Sequence, residues 1–162
     1  INFKPLAHRI EPCGSADGVS FFNDSKATNP EATLKALASF DGTPLVVMLG
    51  GRDKNTPLDE LVKAAEESCR AVVCYGEAGE RFHAAFASQA SDGSLLSLRE
   101  PDFRSAFATA VDSARAGDAV LLSPACASFD EFDSYGQRGE AFKALVAALS
   151  AEREGREADD GA

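Results

Sequence analysis

Apolar residues along the chain gather in five short runs: Val19 to Phe22, Leu45 to Leu49, Ala71 to Tyr75, Leu95 to Leu98 and Ala119 to Leu122. Each run is continuous or alternates with period two, and each predicts a buried strand. His8 to Cys13 predicts a further, weaker strand. Helical spacing takes over between the runs. Leu58, Leu61, Val62 and Ala65 fall at i, i+3, i+4 and i+7, and so do Phe103, Ala106, Phe107 and Ala110, then Phe142, Leu145, Val146 and Leu149. Each set places one apolar stripe on a helix. Asn29 before Pro30 reads as an N-cap with proline in the first helical position, a second helix is expected to start near Pro57, and Asp102 can cap the helix that begins at Phe103. Gly117 is expected to end that helix. Strands alternating with helices predict an α/β, Rossmann-like fold: a mostly parallel sheet of about six strands with about five helices on both faces.

The 162 residues suit one domain, placed here at 1–150, and suffice to bury roughly two-thirds of the unfolded surface. From Ala151 onward no aliphatic side chain exceeds alanine, so 151–162 is expected to be a frayed helix end and solvated tail. With 26 acidic against 16 basic residues and a net charge of −10, neither nucleic acid nor an anionic membrane is an expected partner. Any anion must then be caught by local cations and backbone N–H groups. Cys13, Cys69, Cys74 and Cys126 form no C-x-x-C pair and have no histidine at zinc-ligand spacing, so they are expected reduced and buried. No apolar run approaches the ~18 residues of a membrane span, and a cytoplasmic protein is expected. The first residue is Ile1, which suggests a processed product or an excised part of something longer.

Chemistry concentrates where strands end. Asn23 to Asn29 follows Phe22, Gly50-Gly51-Arg52-Asp53-Lys54 follows Leu49, and Ser123 to Asp130 follows Leu122. Open α/β sheets bind ligands at such junctions. Lys26, Lys54, Thr28 and Ser128 would converge there on a small anion. The plainer readings are a tight glycine turn, a solvated lysine and ordinary N-capping, although a cap needs one polar residue and Asn23 to Asn29 offers several. The Gly50 loop has neither G-x-x-x-x-G-K-[ST] nor G-x-G-x-x-G spacing. Cys126 is a weak candidate nucleophile, since only His8 and His83 could serve as its base. Small side chains at Ala125, Cys126 and Ala127 fit close approach of backbone to a ligand better, and Ser128 could equally cap a short helix. Gly136 to Gly139 punctuates the approach to the last helix, where Arg138 could be a surface charge.

Leu6-Ala7-His8-Arg9-Ile10-Glu11, Asn23 to Asn29, Gly50 to Lys54 and Leu122 to Asp130, continued by Phe132, Tyr135, Arg138-Gly139 and Phe142, resemble in order and spacing the carboxy-terminal domain of the Mur ligases, on their D-glutamate-adding branch. The resemblance runs from Phe3 to about Val146. It implies an ATP-dependent amide-bond ligase of peptidoglycan synthesis, in which the carboxylate of UDP-N-acetylmuramoyl-L-alanine is phosphorylated and D-glutamate attacks the acyl phosphate. Under this resemblance Lys26, Thr28 and Lys54 bind D-glutamate near its α-carboxylate, and Ser128, Phe129 and Tyr135 line the end that holds its side-chain carboxylate. Arg9 would reach the phosphates of ATP and Asp24 its ribose. The resemblance assigns no catalytic residue and no metal ligand to this part. The family's Walker A loop, Mg2+ ligands and modified lysine belong to a central domain, and UDP binding to an amino-terminal one; the sequence contains neither, so the isolated chain is expected to be inactive. Arg52 and Tyr135 stand at positions that vary in the family. Two alternatives are a stand-alone module for acidic amino acids and a sister ligase adding a diamino acid or a folate-type glutamate. The sister ligases are expected to differ after the Gly-Gly loop and around Ser128.

Overall fold

A computed structural model describes residues 6–89 and 94–160. Among these, six strands and five helices alternate as the patterning predicts. Strands β1 (Glu11–Ala16) and β2 (Val19–Asn23) form an antiparallel hairpin. Its turn is Asp17-Gly18, with φ of +52° and +79°. Left-handed geometry at both central positions matches the right-handed twist of paired strands, and aspartate and glycine tolerate it. The remaining strands, β3 (Leu45–Gly50), β4 (Cys69–Tyr75), β5 (Leu96–Glu100) and β6 (Ala119–Leu122), pair in parallel with β2 in the order β1-β2-β6-β3-β4-β5.

Helices cover both faces. Helices α1 (Pro30–Ala38), α2 (Asp59–Ser68) and α3 (Gly79–Gln89) pack on the face carrying Leu45, Val47, Leu49, Val72, Cys74 and Leu121. Helices α4 (Phe103–Ser113) and α5 (Tyr135–Asp160) cover Val46, Met48, Val73, Val120 and Leu122. Every residue of β3 is buried, the signature of a central parallel strand with both faces covered. This arrangement puts the carboxyl ends of β2, β6 and β3 side by side, so the three polar junctions of the sequence are neighbours.

Three local expectations change. The first strand begins at Glu11 rather than His8: the Glu11 carboxylate accepts the His8 N–H and Asp24 accepts the Ile10 N–H, holding both residues left-handed at φ +64° and +42°. Helix α4 stops at Ser113 rather than Gly117 because Ala114 is already extended and the Asp118 carboxylate takes the Arg115 N–H at 2.8 Å. Helix α3 went unplaced in the sequence; its inner face is Gly79, Phe82 and Phe86. Helix α5 continues to Asp160, and from 151 to 159 its side chains are exposed except that of Arg153, which reaches Asp17 at 3.1 Å. Positions 161 and 162 of the expected tail lie outside the described residues.

Candidate functional site

Backbone hydrogen bonds sew the three junctions together. Ala125 N–H donates to the Ala27 carbonyl at 3.0 Å, Gly50 to Pro124 at 3.1 Å and Arg52 to Ala127 at 2.8 Å. The small side chains at 125–127 therefore let loop approach loop. Gly51, at φ +133°, sits so close that a Cβ would run into the Ala127 carbonyl and lie 2.9 Å from the Cys126 Cβ. Burial pushes the Cys126 thiol up to about 12, so it stays protonated and is no nucleophile. All four cysteines are free; Cys74 and Cys126 are buried, but Cys13, on the edge strand β1, and Cys69, the first residue of β4, are only partly so.

Arg138 locks the same junctions from beneath. The sequence leaves it open as a surface charge, yet it is 1 % exposed. Its Nε donates to Ser25 Oγ at 2.9 Å, Nη2 to the Ser25 carbonyl at 2.8 Å and Nη1 to the Cys126 carbonyl at 3.0 Å. Ser25 Oγ in turn donates to the Tyr135 carbonyl at 2.7 Å. Helix α5 thus begins with its side chains tied to the ends of β2 and β6. Desolvation pulls the guanidinium below its usual value, offset by the polar groups around it, Tyr75 first.

The residues expected to bind ligand fall into two neighbouring sets. Arg9, Asp24 and Lys26 line one cleft of about 480 Å³ beside α1, joined by Asn29 and Lys35. Thr28 and Lys54 meet across the first and second junctions, with Lys54 Nζ 3.3 Å from the Thr28 carbonyl. Ser128 is buried at the foot of the third junction, where its carbonyl takes the N–H groups of Glu131 and Phe132. Phe129 beside it and Tyr135 at the start of α5 are exposed, at 59 % and 40 %. The Tyr135 ring meets His8 edge-on at 6.0 Å. His8 Nδ1 faces the Asn23 amide nitrogen at 2.8 Å, while the Asn23 oxygen accepts Ser25 N–H, so His8 braces the segment that carries Arg9.

Asp24 is buried and already engaged: it accepts from Ser123 Oγ at 2.7 Å and from the Ile10 N–H at 3.1 Å. Burial nonetheless raises its carboxyl above the ordinary range, against the pull of those donors and of Arg9. A raised folded value means that the ionised carboxylate costs stability above that value, and that the cost fades as pH falls through it toward the unfolded value of about 4. Asp24→Asn is therefore expected to melt at least as high as the wild type at pH 7 and to lose that advantage in acid. A lower melting temperature at pH 7, measured by circular dichroism, would contradict this.

Sequence reasoning missed Arg138 and Ser25 as organisers. The available signal was the Arg138-Gly139 pair, where a Cβ at residue 139 would run into the His8 ring. It also missed the ion pair of Asp53 with Arg81, which shares the loop of Lys54.

Comparison with known proteins shows the family and the fold. The family described as Mur ligase, glutamate ligase domain, matches residues 8–126. The UDP-N-acetylmuramoylalanine--D-glutamate ligase of Rubrobacter xylanophilus is 46 % identical over 151 residues, 93 % of this chain and 33 % of its own length. The protein of the same name from Pelotomaculum thermopropionicum is 40 % identical over 147 residues, 91 % of this chain and 31 % of its own. The chain thus spans about a third of these relatives, their carboxy-terminal part. Among solved structures, the murein peptide ligase of Psychrobacter arcticus superposes with a TM-score of 0.60 at 15 % identity, over 88 % of this chain and 29 % of that one. The MurF ligase of Thermotoga maritima, solved with ADP, gives 0.53 at 18 % identity, over 95 % and 33 %. At such identities the likeness concerns the fold. The family match, with the two curated relatives behind it, places this chain in the Mur ligase family as a glutamate ligase domain.

Proposed function

We propose that this chain is the amino-acid-delivering domain of an ATP-dependent ligase that adds D-glutamate to UDP-N-acetylmuramoyl-L-alanine in peptidoglycan synthesis, working in the cytoplasm. The observation that supports the reading is that the strand ends leading to Lys26 and Thr28, to Lys54 and to Ser128 lie side by side, with Lys54 reaching Thr28, in a chain that is 46 % identical to a ligase of that name. D-Glutamate brings two carboxylates. In a protein of net charge −10 they need local cations, and Lys26 and Lys54 stand exposed at adjoining junctions. Thr28 and Ser128 add neutral donors, with Phe129 and Tyr135 as walls. Holding the substrate by its carboxylates leaves the amine free to lose a proton and attack. The ammonium groups should bind and orient; no residue of this chain need take the proton.

Arg9 and Asp24, in the cleft beside α1, would face the nucleotide: the guanidinium toward the phosphates, the carboxylate toward the ribose. ATP supplies the phosphoryl group that activates the acceptor, and Mg2+ would sit with the Walker A loop in the central domain of the full-length enzyme. The groups here fit a partial nucleotide contact: the exposed Arg9 guanidinium and Lys26 ammonium beside the buried carboxyl group of Asp24. Closure of this domain on the others would exclude water from the acyl phosphate. Alone, the chain ligates nothing.

The direct test is a titration of the 15N-labelled chain with D-glutamate. Weak binding is expected, with shifts confined to residues 23–29, 50–54 and 123–130. Shifts elsewhere and none at these junctions would count against the site.

A further inference from the structure

The loop that carries Lys54 is held from outside by α3. Arg81 makes a two-pronged pair with Asp53, Nε to Oδ2 at 2.7 Å and Nη2 to Oδ1 at 2.9 Å, and its Nη1 donates to the Thr56 carbonyl at 3.0 Å. Asp53 Oδ1 also accepts the Asn55 N–H at 2.8 Å, with Asn55 in the left-handed region at φ +55°. Lys54 therefore lies between two anchored residues, Asp53 before it and Thr56 after it. Upstream, Arg52 is fastened to Ala127 and Gly51 accepts from Ala78 N–H at 2.9 Å. A free loop would leave the ammonium to wander; this one points it at Thr28.

Resting on the proposed function, we propose that Arg81 is a positioning residue for amino-acid binding: through Asp53 and Thr56 it fixes the loop and aims the Lys54 ammonium at a carboxylate of the incoming amino acid. Ordering a loop residue costs conformational entropy. With the fork in place, folding meets that cost in advance; without it, substrate binding must. The planar guanidinium is what permits three directed bonds at once, and a lysine cannot reproduce them. The pair is partly open to solvent, with side-chain exposures of 34 % for Arg81 and 16 % for Asp53, so its weight in global stability is small. The guanidinium, by hydrogen bonding first of all, holds the Asp53 carboxyl below its ordinary range, so the pair is ionised at neutral pH.

The experiment uses the intact parent ligase with Arg81→Ala, Arg81→Lys, Asp53→Asn and, as reference, Lys54→Ala. Arg81→Ala is expected to raise KM for D-glutamate roughly tenfold while kcat stays within about twofold, because binding is lost equally from ground and transition states. KM for ATP and for the nucleotide acceptor should not move. Arg81→Lys should behave like Arg81→Ala, and Arg81→Ala with Asp53→Asn should be no worse than Arg81→Ala alone, since the two act as one unit. An unchanged D-glutamate KM in Arg81→Ala, beside a raised one in Lys54→Ala, would overturn the positioning role and leave the proposed function standing. Full recovery in Arg81→Lys, or parallel rises in all three KM values, would overturn it too. An unchanged KM in Lys54→Ala itself would remove the functional reading on which the proposal rests.

Discussion

Arg138→Ala is expected to cost the domain about 3 kcal/mol, one of the largest losses available from a single polar side chain. The guanidinium is enclosed and serves three acceptors, Ser25 Oγ, the Ser25 carbonyl and the Cys126 carbonyl, from residues at two different junctions. Truncation strands all three away from water. Each unsatisfied buried acceptor costs roughly 1–3 kcal/mol, partly offset because a cation that no carboxylate touches no longer has to be buried. For a domain of this size a loss of 3 kcal/mol lowers the melting temperature by roughly 6–12 °C. Arg138→Lys should recover little, since one ammonium cannot span acceptors on both Ser25 and Cys126. Thermal unfolding of the isolated chain reads this out, and an Arg138→Ala melting point within 2 °C of wild type would show that the clasp is dispensable.

Lys54→Ala in the intact ligase is expected to lower kcat/KM for D-glutamate by about 10- to 100-fold, the worth of a hydrogen bond to a charged group. Most of the loss should appear as a raised KM, with ATP affinity unchanged. The geometric reason is that Lys54 and Thr28 face each other across the first and second junctions, and neither lines the cleft of Arg9 and Asp24. Lys26 belongs to that cleft as well as to the junction, so Lys26→Ala should disturb both substrates. Initial rates at varied D-glutamate decide the matter: a Lys54→Ala enzyme that keeps full turnover at limiting D-glutamate would remove Lys54 from the site.

The central strands β3, β4 and β6 were legible because each is a dense apolar run, and Leu45 to Leu49 is one that no amphipathic helix would carry; β1, Glu-Pro-Cys-Gly-Ser-Ala, has no such run and its start was misplaced. The hairpin was not read from the sequence, although Asp17-Gly18 carries its turn signal, and the structure makes β1 an antiparallel edge. Helix α3 hid because its stripe has only two large apolar residues, Phe82 and Phe86, with Arg81 and His83 around the first. The three junctions could be picked out as strand ends rich in polar residues. How they join could not, because the joining groups are distant in sequence: Arg138 reaches Ser25 from 113 residues away and Arg81 reaches Asp53 from 28. Asp118 shows the same principle at the other end of the sheet, where it pairs with Arg70, 48 residues away.

The most direct measurement of the proposed role is phosphate release by the intact parent protein, with D-glutamate and UDP-N-acetylmuramoyl-L-alanine supplied singly and together. Sustained release is expected only with both, at a rate that saturates in D-glutamate and falls when L-glutamate or a diamino acid replaces it. Equal release with a diamino acid, or sustained ATP consumption without D-glutamate, would contradict the assignment of these three strand ends to D-glutamate.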